Sequence, residues 1–388
     1  MTEKFIPLSV PNLKGKELEY VTHAIETEWV STAGPYINEF ENKVMEYTGA
    51  HGAVSCQNGT SGLHVALKVL EVTSEDEVIV PTLTFIAAVN PVKYVGAEPI
   101  FMDCDDTLNI DADKVRTFCE TECDFINGKL INKLSKKHIK ALIVVHVFGN
   151  MADMEKIMSI ADDYNLKVIE DATEAMGSYY IGGRYKDKHV GTIGDIGVYS
   201  FNGNKIMTTG GGGMIVSNNE QILKKAKHLT TQAKSDDIYY THDEIGYNYR
   251  MTNLQAALGL AQLEQLEGFI ESKKANYERY KKEIENIQGL KILNFNKHTR
   301  PNYWFYALYI DEHYKLNRDQ LITYLSSKGI QSRPIWGLIS DQMPYRSNQI
   351  FEIEKAHRYL EHVINIPCSS NLSNEDIDYV VECLRHTK

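Results

Sequence analysis

The sequence predicts an α/β protein with a mainly parallel sheet and a smaller α+β region toward the C-terminus. Three observations carry this. From about residue 50, short apolar runs alternate with stretches of helical periodicity; near residue 250 the pattern gives way to one long amphipathic stretch; and the remainder mixes strand-like and helix-like segments. Strands alternating with helices imply a sheet covered on both faces, with ligands beyond the carboxyl ends of its strands.

In chain order, Asn58–Gly62 leads into a helical run from Leu63 to Leu70, and Val78–Val80 reads as a strand. A helical stretch from Phe85 to Val95 precedes a strand at Pro99–Asp103. Ala141–Phe148 is strand, Met154–Tyr164 helix and Lys167–Asp171 strand again. Gly194–Phe201 and Gly213–Ser217 read as strands around a polar, glycine-rich passage. From Asn253 to about Asn286 the apolar positions Leu254, Ala257, Leu258, Ala261 and Leu263 fit one buried helix face. The change of period places a boundary near residue 250, giving a large unit at 1–250 and a small one at 251–388. The small unit carries a strand at Tyr303–Ile310 and helices near Arg318–Lys328 and Asn374–Leu384.

Composition narrows the function. In 388 residues, 43% are hydrophobic and 24% charged, the balance of an ordinary folded protein. Asp and Glu outnumber Lys and Arg by 52 to 41, a net charge of −11, which disfavours a broad nucleic-acid surface. No apolar run reaches about 18 residues and the N-terminus lacks a signal-peptide core, so no membrane partner and a cytoplasmic location are expected. Six cysteines without a Cys-x-x-Cys pair predict neither a disulfide framework nor a zinc cluster; Cys119 and Cys123 are expected as reduced thiols on one helix face. The thirteen histidines include no His-Glu-x-x-His pair, and His146, at a strand end, is expected to be a hydrogen-bonding group, so no metal is predicted.

Four strings fall where ligands of such a sheet belong. Asn58-Gly59-Thr60-Ser61-Gly62 suits both a phosphate cradle at a helix N-terminus and plain capping. Glu170-Asp171 ends a strand, where a carboxylate can hold a protonated heterocyclic nitrogen. Ser200-Phe201-Asn202-Gly203-Asn204-Lys205 precedes four glycines, Gly210–Gly213, and an amine there can join an aldehyde if its pKa is lowered. Gly246-Tyr247-Asn248-Tyr249-Arg250-Met251-Thr252-Asn253 offers Arg250 for a carboxylate, or a helix cap at Thr252 or Asn253.

Taken together these strings resemble the DegT/DnrJ/EryC1/StrS family of pyridoxal-phosphate sugar aminotransferases. The likeness runs from Pro7-Leu8-Ser9-Val10-Pro11 and Glu28-Trp29-Val30-Ser31 to Arg333-Pro334-Ile335-Trp336 and Ile366-Pro367. It implies fold type I, with a seven-stranded, mainly parallel sheet, a small C-terminal domain and a homodimer that shares its active sites. It implies pyridoxal 5'-phosphate as cofactor, with Lys205 as the Schiff-base lysine, Asp171 at the pyridinium nitrogen, Phe85 stacked on the ring and Glu174 at the phenolic oxygen, a position often Gln or His in the family. Thr60, Ser61 and Ser200 match the phosphate binders, Asn248 reaches the phosphate from the second subunit, Arg250 takes the amino donor's carboxylate, and Trp29 and Arg333 contact substrate.

The resemblance further implies L-glutamate as donor, with Lys205 as general base and acid. Arg333-Pro334-x-Trp336 after Lys328-Gly329-Ile330 resembles the subgroup acting at C4 of 4-keto-6-deoxy sugars. The opening residues look most like enzymes of bacillosamine or legionaminic acid synthesis, which favours a UDP-linked 2-acetamido-4-keto-2,4,6-trideoxyhexose acceptor; the runner-up is GDP-linked 4-keto-6-deoxymannose, as in perosamine synthesis. A dehydratase of this family would carry His in place of Lys205, and a noncatalytic regulator would not need Lys205 with Asp171. A Rossmann enzyme would need Gly-x-Gly-x-x-Gly after an early strand, and none follows Val80 or Met102.

Overall fold

The computed structural model describes residues 4–236 and 238–387. Its centre is a ten-stranded sheet. Seven of its strands are β1 (Gly52–Cys56), β2 (Asp76–Pro81), β3 (Glu98–Met102), β4 (His138–Val145), β5 (Lys167–Asp171), β6 (Ile196–Ser200) and β7 (Gly213–Ser217), side by side in the order β1-β7-β6-β5-β4-β2-β3. Pairing is parallel from β6 through β5, β4 and β2 to β3, whereas β7 runs antiparallel to both β6 and β1. The mainly parallel α/β sheet is therefore present. A hairpin at Cys123–Ile126 and Lys129–Asn132, and Ile350–Phe351 beside β3, extend it beyond seven strands.

Every residue of β2, β6 and β7 is buried, as a sheet sandwiched between helices requires. The N-terminal helices Glu17–Glu26 and Pro35–Thr48 both pack on Asn253–Leu263, and the continuous apolar core runs on into the C-terminal part of the chain. There a four-stranded antiparallel sheet forms from β8 (Leu290–Ile292), β9 (Tyr306–Ile310), β10 (Arg333–Pro334) and β11 (Val363–Ile366), in the order β8-β9-β11-β10. The N-terminal segment returns to this sheet: Ile6 bridges Ile330 in parallel, and Cys368 N–H donates to Leu8 O.

Several elements depart from the expected pattern. The stretch 85–95 divides into a short 3₁₀ turn at Ile86–Ala88 and the helix Asn90–Tyr94, because Pro91 lacks an N–H and fits only a first turn. The long helix breaks at Glu264–Gln265 into Asn253–Leu263 and Leu266–Ile284. β4 ends at Val145, and Val147–Gly149 form a 3₁₀ turn with Phe148 in the left-handed region at φ 58°. Cys119 and Cys123 do not share a helix face, since the helix Ala112–Thr121 ends first and Cys123 begins a strand; all six cysteines are free and buried. No helix among the described residues is long and apolar enough to cross a membrane.

Candidate active site

A cavity of about 340 Å³ opens beyond the carboxyl ends of β2, β5 and β6. Each strand delivers side chains where its ladder ends: Thr84 and Phe85 after β2, Asp171, Thr173 and Glu174 at and after β5, and Ser200, Asn202, Asn204 and Lys205 at and after β6. The helix Gly59–Val69 points its N-terminus at the same space, with Asn58, Gly59 and Thr60 in the wall. The far wall comes from the C-terminal part of the chain as Trp304, Phe305 and Trp336. Thus Lys205, Asp171, Glu174, Phe85, Thr60 and Ser200, distant in sequence, share one cavity.

Three buried carboxylates lie within five residues here, and their surroundings set them apart. Glu170 accepts hydrogen bonds from His146 Nε2 (3.1 Å) and from the backbone N–H groups of Gly191 (2.8 Å), Ile193 (2.7 Å) and Gly194 (2.6 Å). Burial raises its pKa, but these donors outweigh it and hold the carboxylate below its ordinary range. His146 Nδ1 accepts from Ala152 N–H (3.2 Å), so the ring proton sits on Nε2 and points at Glu170. His146 is therefore the hydrogen-bonding group expected of it.

Asp171 is also deeply buried but, among the described residues, accepts only from Thr173, whose N–H lies 3.1 Å from Oδ1; burial pushes its pKa up, opposed by Thr173, Lys205 and His146. In Glu174, Oε2 accepts from Phe148 N–H at 2.8 Å. Burial raises Glu174 to about 7 and Asp171 adds to this, against Lys205 and the Phe148 N–H. Lys205 is half-buried, with Nζ 4.2 Å from the centre of the Trp304 ring. Desolvation lowers its pKa, while Glu174 and Asp171 pull the other way. Its ammonium has no hydrogen-bond acceptor among the described residues, so the amine is placed for chemistry rather than for a structural salt bridge.

The opposite end of the cavity suits an anion. Asn58 caps the helix by accepting from Ser61 N–H (2.8 Å), leaving earlier backbone donors and the positive end of the helix directed at the cavity. Thr60 and Ser200 hydroxyls line the space and are not engaged with other described residues. A Cβ on Gly59 would meet Thr173 Cγ2 at 2.8 Å and Ser200 Cβ at 3.0 Å, so only glycine allows this approach. Ser61, by contrast, lies outside the wall: its hydroxyl donates to Asn58 O (3.1 Å) and Oδ1 (2.9 Å). Both readings of the Asn58–Gly62 string are thus realised, with Asn58 and Ser61 capping while Gly59 and Thr60 face the cavity.

The remaining expected residues do not line it. Trp29 and Arg333 are exposed, as is Asn248, whose backbone bridges Thr231. Arg250 is half-buried with Nε shielded and without a partner, while Thr252 caps the following helix in a reciprocal box with Gln255. Asn253 ties this start to the N-terminal string by donating Nδ2–H to Trp29 O (2.7 Å) and its own N–H to Ser31 O (2.6 Å). Sequence reading missed Trp304, Phe148 and Thr84. Trp304 lies just before β9 inside a stretch read as strand, Phe148 lies at the end of another, and Thr84 sits in an ordinary polar turn.

These features meet an independent comparison. A model of the DegT/DnrJ/EryC1/StrS aminotransferase family matches residues 11–385. The chain belongs to that family. A GDP-perosamine synthase from Escherichia coli O157:H7 is 40% identical over 98% of each chain, and one from Caulobacter vibrioides is 35% identical over 98% of this chain and 97% of its own. Among solved structures, the aminotransferase TlmJ from Streptoalloteichus hindustanus superposes with a TM-score of 0.87 at 26% identity over 98% of both chains. This DegT-family member is a sugar aminotransferase that uses pyridoxal phosphate. Its cavity fits that cofactor: a desolvated amine, a carboxylate at a strand end and an anion cradle face one another across it.

Proposed function

We propose that this enzyme transfers the amino group of L-glutamate to C4 of GDP-linked 4-keto-6-deoxymannose. The observation that carries the reading is the end-to-end similarity, at 40% and 35% identity, to two proteins named GDP-perosamine synthase. The opening residues favour a UDP-linked trideoxy acceptor, but a likeness over the whole chain outweighs one in a short string.

When bound, pyridoxal phosphate supplies an electron sink for the pair left when a C–H bond beside the amine nitrogen breaks. In our reading Lys205 would hold the cofactor covalently, and its amine would take a proton from the donor carbon and deliver one to the sugar carbon. Desolvation lowers the pKa of its amine, which favours the free base that proton transfer needs; such transfer by a positioned group contributes on the order of 10² to 10⁴ in rate. Asp171, with one local donor against the four of Glu170, keeps charge available for a ring nitrogen. Phe85 would lie against the cofactor's ring, and Thr60, Ser200 and the helix terminus would hold its phosphate, with the Ser61 turn shaping the cradle. Asn248, which lies outside this cavity, would complete the cradle from a second copy of the chain. Arg250 takes the donor's carboxylate, and Trp29 and Arg333 meet the sugar nucleotide.

Purified enzyme with glutamate and GDP-4-keto-6-deoxymannose should give a 4-amino sugar nucleotide, identified by mass and NMR. The Lys205→Ala variant should give none and should not retain cofactor covalently after borohydride reduction. Turnover of the UDP-linked acceptor alone would overturn the choice of nucleotide.

A further inference from the structure

Asn253 opens the helix Asn253–Leu263, yet its side chain does nothing for that helix, whose cap is the reciprocal box of Thr252 and Gln255. The amide is fully buried and spent elsewhere. Its Oδ1 accepts from Tyr36 N–H (3.0 Å), in the first turn of the helix Pro35–Thr48, and its Nδ2–H donates to Trp29 O (2.7 Å). The backbone N–H of Asn253 adds a bond to Ser31 O (2.6 Å). A Cβ on Gly34, which stands at φ 149°, would overlap the amide, so the missing side chain of that glycine makes room for it.

These bonds all hold one loop and the helix turn that follows it. The loop leaves the helix Glu17–Glu26 through Glu28 in the left-handed region, at φ 60°, and carries Trp29 and Val30 53% and 41% exposed. None of residues 27–34 is buried, and among the described residues positions 29–33 make no other hydrogen bond. A loop that turns its apolar side chains outward has no core to order it, so its shape depends on Asn253. The segment just before Asn253 is held separately, by Gln57 N–H on Tyr249 O (2.7 Å) and by the Thr252 cap.

We propose that Asn253 is a positioning residue that fixes the Trp29 loop in one shape beside the segment carrying Arg250, so that the sugar nucleotide meets a surface already formed. A buried amide with both ends paired avoids the cost of an unsatisfied polar group and fixes direction, which apolar packing alone does not. Ordering the loop in advance removes that cost from binding. The inference rests on Trp29 meeting the sugar nucleotide, and Trp29→Ala tests that point separately.

The test is steady-state kinetics with glutamate and the acceptor that the wild type turns over, GDP-4-keto-6-deoxymannose or the UDP-linked trideoxy sugar. The variants are Asn253→Asp, Gly34→Ala, Thr252→Ala and Trp29→Ala. Asn253→Asp keeps an acceptor for Tyr36 N–H but sets a carboxylate against the Trp29 carbonyl. Its KM for the sugar nucleotide should rise about tenfold, equivalent to about 1.4 kcal/mol, while KM for glutamate changes less than about twofold. Thr252→Ala, which loses only the helix cap, should lower the melting temperature and leave the sugar-nucleotide KM as it was. An unchanged sugar-nucleotide KM in Asn253→Asp, with Trp29→Ala raising it, overturns the proposal and leaves the Trp29 contact standing. A parallel rise for glutamate and sugar nucleotide, the mark of general loosening, overturns it too. If Trp29→Ala leaves that KM unchanged, the contact itself fails and the proposal with it. Should Asn253→Asp not fold, Gly34→Ala, which drives a methyl group into the amide, decides by the same outcomes.

Discussion

Glu170, Asp171 and Glu174 show how little residue type decides at the scale of one side chain. All three are buried acids on or just after one strand, yet one is pinned as a structural anion by four donors and two are left open to a cavity. The cofactor-free protein should register this in its stability. Glu174 has its pKa raised in the fold, from 4.5 to about 7, so its contribution is fully present below pH 4.5 and is lost as pH rises through 7. Chemical denaturation of cofactor-free wild type should therefore show a decline across that window, and Glu174→Gln should remove up to about 3 kcal/mol of it. A parallel pH profile in the two proteins would contradict this account.

Among the elements, β6 is tightly held, because it runs under the loop that solvates Glu170. A Cβ on Gly197 would overlap the backbone of Gly191, whose N–H is one of the four donors to that carboxylate. Backbone cannot step aside as a flexible side chain can. Gly197→Ala should thus cost about 1–3 kcal/mol of stability, read as a lowered denaturant midpoint, and should weaken cofactor retention, since β6 also delivers Ser200 and Lys205. Unchanged stability would show that the loop yields more easily than its packing suggests. The 3₁₀ turn after β4 belongs to the same scale: its left-handed Phe148 is affordable only because aromatic residues from the other end of the chain clamp it.

At the scale of the whole molecule, Asn248 and Arg250 lie outside the cavity they are expected to serve. Ile238, Tyr240 and Ile245 stand 79%, 71% and 83% exposed on and beside the hairpin Lys234–His242, close in sequence to Asn248 and Arg250. Such apolar exposure beside two expected ligand groups is what a chain shared between two copies would show. Sedimentation of the wild type should give a dimer, and the double variant Ile238→Asp, Tyr240→Asp should shift it toward monomer with loss of activity. A monomeric, active wild type would remove the second-copy role given to Asn248.

Alternating period, a lysine before a glycine run and an acid at a strand end were enough to name the architecture and to point at Lys205 and Asp171, because strand ends converge in any parallel sheet, whereas Glu174, Phe85, Thr60 and Ser200 were expected there only through the resemblance to the family. Local chemistry likewise pointed to a helix cap at Thr252 or Asn253, which Thr252 supplies. Only the tertiary structure decided which acid is satisfied and which is open, that Ser61 serves the cap, and that Trp304 lies against the lysine. Apart from the Ser61 cap, whose partner Asn58 is three residues away, those outcomes depend on donors to Glu170 and Glu174 and a ring over Lys205 that arrive from 21 to 99 residues away, and hydrogen bonding and desolvation act through distance in space, on which a linear pattern carries no information.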